Sequence, residues 1–488
     1  MSLSTSTRSE ALPVFIDGTF RQARSGETID AVNPATGEVI GRFPRCNTDD
    51  VADAVQAAST AFKQWRATPA IERAAMVRQL ADKIEQHAGE LAMLDVTENG
   101  SPIREMSADA YTGAAALRYF AGLAHELRGE TIPSEFDRVD YTLPTPYGVV
   151  GRIIPFNHPF MFAASKSAAP LIAGNTLILK PSEHTSMSTI RLAELAAEVF
   201  PKGVFNVVTG YGMEAGDPLV THPDVRRIAF TGSAEIGRSI QQRAATHVVK
   251  TVSLELGGKN PLVVMPDADL DVAVEGALRG MNFTWQGQSC GSTSRLIVQE
   301  SLRGEFVERL AARMDSLRSG PPEDYATDTG AIVHRGQYEK VLSYLQLGRD
   351  EGARVVVGGG PPEDKSLSAG MFVRPTLFED VAPDSRLAQE EIFGPVLAVI
   401  TYKTYEDALR IANGIQLGLT ASIFTNDLRT AHRFARDVEA GYVWVNDSSR
   451  HFPGVPFGGF KDSGVGREES LSELESYTQT KNVNIKFG

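Results

Sequence analysis

From Tyr141 onward, short apolar runs ending in Gly, Pro or Ser alternate with stretches in which apolar residues recur at helical spacing. Gly148 to Pro155, Thr176 to Lys180, Val204 to Thr209, Arg227 to Thr231 and Val252 to Leu256 read as buried strands. A second series follows at Pro261 to Met265, Arg295 to Val298, Val355 to Val357, Ala421 to Phe424 and Tyr442 to Val445. Strands alternating with helices predict parallel, doubly wound sheets, and two series predict two α/β domains. Ahead of them, Val14 to Ile16 and Glu27 to Phe43 read as short strands, with Asn33-Pro34-Ala35-Thr36-Gly37 turning a hairpin. Asp49 or Asp50 is expected to cap a helix whose apolar face is Val51, Ala54, Val55, Ala58, Phe62 and Trp65. A second long helix is expected from Ile71 to Asp95. There is no internal repeat and no low-complexity linker, so a domain boundary near Gly257 rests on motifs.

The length of 488 residues implies two or three domains, and a composition 42% hydrophobic and 22% charged is that of a chain folded throughout. With 48 Lys and Arg against 61 Asp and Glu and no basic run, nucleic acid is not an expected partner. No apolar run reaches the roughly 18 to 20 residues that span a bilayer, so no membrane partner is expected. Met1 to Glu10 lacks the apolar centre of a secretory signal. Two cysteines, Cys46 and Cys290, exclude a disulfide framework and a Cys-rich metal site, and fit a reducing cytoplasm. Cys46, just ahead of a helix, reads as a packing or loop residue.

Four segments carry candidate chemistry. Arg227 to Gly237 is a strand, a glycine turn and a helix start, which could present N–H groups to a pyrophosphate; lacking the three-glycine spacing, it is explained equally well as an ordinary turn. Lys180-Pro181-Ser182-Glu183 closes a strand with a cation and a carboxylate suited to ribose hydroxyls, or is a solvated charged loop. In Val252 to Leu256 the alternation sets Ser253 and Glu255 opposite the apolar residues, so Glu255 reads first as a water-facing strand position. Cys290 lies among small polar residues, Gln286-Gly287-Gln288-Ser289-Cys290-Gly291-Ser292, where a thiol is expected to be accessible. Only a few per cent of an unperturbed thiol, with a pKa of about 8.5, is thiolate at neutral pH, so a nucleophile here needs activation.

Together these segments identify a resemblance to the aldehyde dehydrogenase superfamily from roughly Asn33 to the end. It is carried in order by Pro155-Phe156-Asn157-His158-Pro159, Lys180-Pro181-Ser182-Glu183, Phe230-Thr231-Gly232-Ser233, Leu254-Glu255-Leu256-Gly257-Gly258-Lys259, Gly287-Gln288-Ser289-Cys290, Glu391-Ile392-Phe393-Gly394-Pro395 and Pro456-Phe457-Gly458-Gly459. The resemblance implies that Cys290 is the nucleophile, Glu255 the general base that activates a hydrolytic water, and Asn157 an oxyanion donor beside the Cys290 backbone N–H. An aldehyde releases hydride readily only after a nucleophile has added, and the resulting oxyanion needs preorganised donors. The implied NAD site, with NADP as an alternative, comprises Ile153, Pro155, Phe156, Lys180, Ser182, Glu183, Phe230, Gly232, Ser233, Leu256, Glu391 and Phe393. The implied substrate residues are His158, Met161 and Phe162 on one wall of a tunnel, with His451 and Phe457, beside Arg450, on the other. No metal is implied. Lys166, near Asn157, receives no role and reads as a surface lysine.

The implied fold is aldehyde dehydrogenase-like α/β, two doubly wound domains with a small β oligomerisation flap. Residues 1–122 and 147–256 would bind NAD(P), 257–474 form the catalytic domain, and 123–146 with 475–488 the flap of a homodimer or homotetramer. Departures from the commonest pattern are Phe156 for Trp, His158 for Phe and Gly291 after the nucleophile, which leave the aldehyde unspecified. Two rival readings are an acylating semialdehyde dehydrogenase that passes its thioester to coenzyme A, which generally lacks a base like Glu255, and a non-catalytic structural homologue.

Overall fold

The computed structural model describes residues 11–487. The reading of Met1 to Glu10 and the last residue of the flap segment, Gly488, lie outside the described residues.

Two mixed α/β sheets dominate. In the first, Phe205–Val207, Thr176–Lys180, Val149–Ile153, Val225–Gly232 and Thr251–Leu256 lie side by side and parallel. Successive residues point to opposite faces: Leu177 and Leu179 enter one buried core with Phe160, and Ile178 enters the other with Ile228. Both faces are therefore covered by helices, which is why these strands are continuous apolar runs without visible alternation. In the second sheet Leu262, Val264, Leu296 and Val298 enter one core, and Val263, Ile297 and Ile423 the other.

The local expectations needed correction in several places. Val14–Ile16 is a strand, but it joins the first sheet antiparallel to Phe205–Val207. The hairpin Thr28–Val32 with Val39–Pro44 forms as expected. The first helix, Thr48–Trp65, is capped by Asn47 rather than by an aspartate: Asn47 Oδ1 accepts from the Asp49 and Asp50 N–H groups, while Asp50 reaches back to the Asn47 N–H. The expected helix from Ile71 to Asp95 is two, Ala70–Gln86 and Ala88–Asn99, broken where His87 leaves helical geometry. In the second sheet, Arg354–Val357 is an antiparallel edge strand, and two central strands, Thr376–Glu379 and Val396–Tyr402, lie where no strand was expected.

A third sheet joins Thr131–Ile132, Arg138–Pro146 and Thr478–Lys486. The short strand Gly464–Val465 pairs with Thr251–Leu256, so chain from near the C-terminus closes the edge of the first sheet. Among the described residues no helix is long and apolar enough to cross a membrane.

Candidate active site

Four of the residues expected to touch a cofactor are the last residues of four neighbouring strands: Ile153, Lys180, Gly232 and Leu256. They line the carboxyl edge of the first sheet, where open α/β sheets bind ligands. Lys180 is buried, not part of a solvated loop; its Nζ donates to the Pro181 carbonyl at 3.0 Å and lies 3.6 Å from Glu183. Ser182 is buried and its Oγ accepts from the His184 N–H. Ser233 is exposed and caps helix Ala234–Ala244, its Oγ accepting from the Ile236 N–H, while Phe230 backs onto Gly232.

Pro155 and Phe156 are half-buried at the end of Val149–Ile153. The Phe156 ring meets Phe393 edge-on at 5.7 Å and also faces His334 and His184, which stack on each other at 3.9 Å. Phe393 has φ +59°, unusual for a bulky residue, and Gln337 holds it there by donating to the Ile392 and Phe393 carbonyls. Glu391 accepts from the Gly258 N–H at 3.0 Å. A Cβ at Gly257 would collide with the Glu391 carboxylate, so that glycine permits the contact between the two sheets.

The loop carrying Cys290 leaves the turn Phe283–Trp285 through left-handed Gln286 and Gly287. Gly287 at φ +66° packs against the Gly394 backbone, where a side chain would not fit, which sets the loop beside Glu391 and Phe393. Asn260 Nδ2 donates to the carbonyls of Cys290, at 2.7 Å, and Ser292, at 3.0 Å, tying the loop to the start of the second-sheet strand Pro261–Val264. Cys290 is partly accessible, but it is not a ready thiolate. Burial, then the carboxylates of Glu391, Glu255 and Glu469, push its thiol up to about 12 against the pull of Lys166.

Glu255 does not face water. It pairs with Thr231 on one side and Gly464 on the other, is buried, and both its carboxylate oxygens lack a hydrogen-bond partner. Burial, then the nearby Glu468, raise its pKa well above the ordinary carboxylate range, with Lys166 and Arg152 opposing. Lys166 is likewise no surface residue: its Nζ lies 2.6 Å from Glu468 Oε2, and Arg152 Nη2 lies 2.5 Å from Oε1. Asn157, between strand and helix, is buried with Oδ1 unpartnered, and the Asn99 side chain donates to the carbonyl of Phe156 just before it. No hydrogen bond joins Asn157, Glu255 and Cys290 directly among the described residues.

The expected substrate residues form two aromatic groups. The His158 ring lies 5.4 Å from Phe162 and 5.3 Å from Trp285, with Nδ1 2.7 Å from Asp109 Oδ2. His451 packs on Phe457 and Tyr442, with Nδ1 3.3 Å from Glu469, while exposed Arg450 gives its carbonyl to Trp444. Helix Ile103–Gly122 touches both groups, through Gly113 against Met161 and Tyr119 against Gly454. Sequence reasoning missed Asp109, Trp285, Tyr442, Glu468 and Glu469. Trp285, five positions before Cys290, had a signal in its position; the acids come from remote segments and had none. Cys46 is fully buried, with its thiol also pushed up to about 12 by burial, then by Asp50.

The sequence pattern of the aldehyde dehydrogenase family matches residues 20–483. Aldehyde dehydrogenase tropH of Talaromyces stipitatus is 45% identical over 490 residues, covering 98% of this chain and 95% of that protein. Among solved structures, PnpE of Pseudomonas sp. WBC-3 in complex with nicotinamide adenine dinucleotide is 41% identical, superposes with a TM-score of 0.96, and is matched over 98% of each chain. An NAD+ complex of an aldehyde dehydrogenase from Bacillus cereus is 38% identical with a TM-score of 0.95, matched over 98% of this chain and 97% of that one.

Proposed function

The chain belongs to the aldehyde dehydrogenase family, and from that premise we propose how its residues oxidise an aldehyde to a carboxylic acid with reduction of NAD. The observation that supports the reading best is a buried, unpartnered carboxylate, Glu255, within electrostatic reach of a partly accessible thiol, Cys290.

With its thiol held neutral, Cys290 must lose a proton to become a nucleophile. Solvent that reaches the partly accessible thiol takes that proton, and Glu255 stays free for the hydrolytic water. The Cys290 sulfur then adds to the aldehyde carbon, and Asn157 with the Cys290 N–H stabilises the oxyanion. NAD supplies the hydride acceptor. The thioester left on Cys290 is hydrolysed by a water that Glu255 deprotonates, which favours release of free acid over transfer to coenzyme A.

The residues present fit NAD. The strand ends at Ile153, Lys180, Gly232 and Leu256 and the Ser233 helix start offer a cation and backbone N–H groups, and the Lys180–Glu183 pair offers polar atoms for a ribose. Glu391 and Phe393 would hold the nicotinamide end beside Cys290. His158, Met161, Phe162, His451 and Phe457 would line the aldehyde's path. We assign residues 1–122 and 147–256 to cofactor binding, 257–474 to catalysis, and 123–146 with 475–488 to contact between copies in a homodimer or homotetramer. The half-exposed Ile132, Leu143, Ile485 and Phe487 on that third sheet support the last assignment. A reducing cytoplasm would keep Cys290 a free thiol.

A panel of aldehydes assayed with NAD and NADP, following nicotinamide reduction and free acid, tests this reading. Reduction with equimolar acid is expected; acid that appears only with added coenzyme A would refute the hydrolytic step.

A further inference from the structure

His158 follows Asn157 directly in the chain and lies against Trp285, on the loop that leads to Cys290. Its side chain is 14% exposed, so it is not solvated like a surface histidine. Asp109, itself only 5% exposed, takes the Nδ1 position at 2.7 Å. A carboxylate there requires a proton on Nδ1, and in the neutral ring this leaves Nε2 as a bare acceptor. Nε2 makes no hydrogen bond among the described residues, so the acceptor is free for a ligand. Phe162 and Trp285 flank the ring and offer flat apolar surface.

The surrounding charge narrows the ligand further. Besides Asp109, the acids Asp95 and Glu105, both pushed up by burial, lie within electrostatic reach of His158, and Glu469 stands at the second histidine, His451. A carboxylate on the substrate would enter a neighbourhood already rich in acids. A neutral group that donates a hydrogen bond would not.

We infer that the Asp109–His158 pair is a specificity device: Nε2 of His158 accepts a hydrogen bond from a hydroxyl on the substrate, selecting hydroxylated, planar aldehydes over unsubstituted or carboxylated ones. This rests on the assignment of His158 to the aldehyde's path. His158 is then a substrate-touching residue and Asp109 a positioning residue that fixes its tautomer.

The test compares kcat/KM for benzaldehyde, the hydroxybenzaldehyde isomers, their methoxy counterparts and carboxybenzaldehyde. In the wild-type enzyme at least one hydroxy isomer is expected to exceed benzaldehyde and its own methoxy counterpart by about tenfold, the scale of one lost buried hydrogen bond. His158→Phe should collapse that ratio toward one, chiefly through KM. Asp109→Asn, which still accepts from Nδ1–H, should retain the ratio, and Asp109→Leu should lose it; a thermal melt shows whether each variant is folded. Methoxy and hydroxy aldehydes used equally well, a preference for the carboxylated one, or a ratio unchanged in His158→Phe would each overturn the proposal. A wild-type enzyme that oxidised none of these or any other aldehyde would instead refute the function itself.

Discussion

The proposed chemistry turns on the Cys290 thiol, which is poised against ionisation. With the thiol at about 12, the thiolate fraction rises about tenfold per pH unit across the accessible range. Iodoacetamide labelling of Cys290 in the cofactor-free protein is therefore expected to keep accelerating past pH 9, whereas a plateau near neutrality would show a thiol already activated. Glu391 is the largest charge opposing ionisation. Its removal in Glu391→Gln lowers the thiol pKa and should speed labelling at fixed pH. Cys290→Ala should abolish aldehyde oxidation, while Cys46→Ala, a change in the buried core, should leave the active site working; turnover in Cys290→Ala would overturn the covalent mechanism. The polar company of Cys290 was legible in the sequence, but its electrostatic setting was not, because Glu391, Glu255 and Glu469 arrive from three other segments. Glu255 shows the same limit: its alternating strand points to water until chain from Gly458 and Glu468, with Lys166, closes around the carboxylate.

Among elements, the charged cluster that joins strand, helix and C-terminal chain is the one with energetic consequences. Arg152 sits on Val149–Ile153, Lys166 on helix Pro159–Ile172, and Glu468 just after Gly464–Val465. Burial alone would raise the Glu468 carboxyl, but Arg152 and Lys166 overcome it and hold the pKa well below the usual range. Glu468→Ala leaves two buried cations unpaired and should cost on the order of 3–5 kcal/mol, read as a lowered denaturation midpoint. The pH dependence follows from the sign. A depressed carboxyl contributes stability that is fully present above the ordinary Glu value of 4.5 and is lost as pH falls below it. Wild-type stability should thus fall more steeply on acidification than that of Glu468→Gln. An equal acid dependence in the two proteins would remove Glu468 from this role. The strand series, the hairpin and the first helix were legible because apolar period and turn residues agree locally. The strands Thr376–Glu379 and Val396–Tyr402 were missed because they run into Glu379-Asp380 and Lys403-Thr404, without the Gly, Pro or Ser that closes most of the other runs. The break at His87 was hidden because apolar helical spacing continues across it.

In the whole molecule, the strand ends that we assign to the cofactor and the proposed base Glu255 belong to the first sheet, while the proposed nucleophile Cys290 sits on a loop packed against the second. Glu183 at the first sheet's edge carries a consequence for the cofactor. Its carboxylate suits ribose hydroxyls and repels a 2′-phosphate, so kcat/KM with NAD should exceed that with NADP by about tenfold or more. A clear advantage for NADP would contradict that placement. The order of seven short segments made the family legible in the sequence, since each lies where strands, turns and loops converge. What spacing could not show is how Gly257 lets the first sheet meet Glu391 while Gly287 and Asn260 fix the Cys290 loop to the second. That juxtaposition of base and nucleophile is the central claim, and Glu255→Gln tests it, because it keeps shape and reach but accepts no proton. Mixed with an aldehyde and NAD, quenched and analysed by mass spectrometry, the variant should carry the substrate's acyl group on Cys290, with NADH formation stalling after about one equivalent. Steady turnover at the wild-type rate, with free acid released and Cys290 unmodified, would contradict the account.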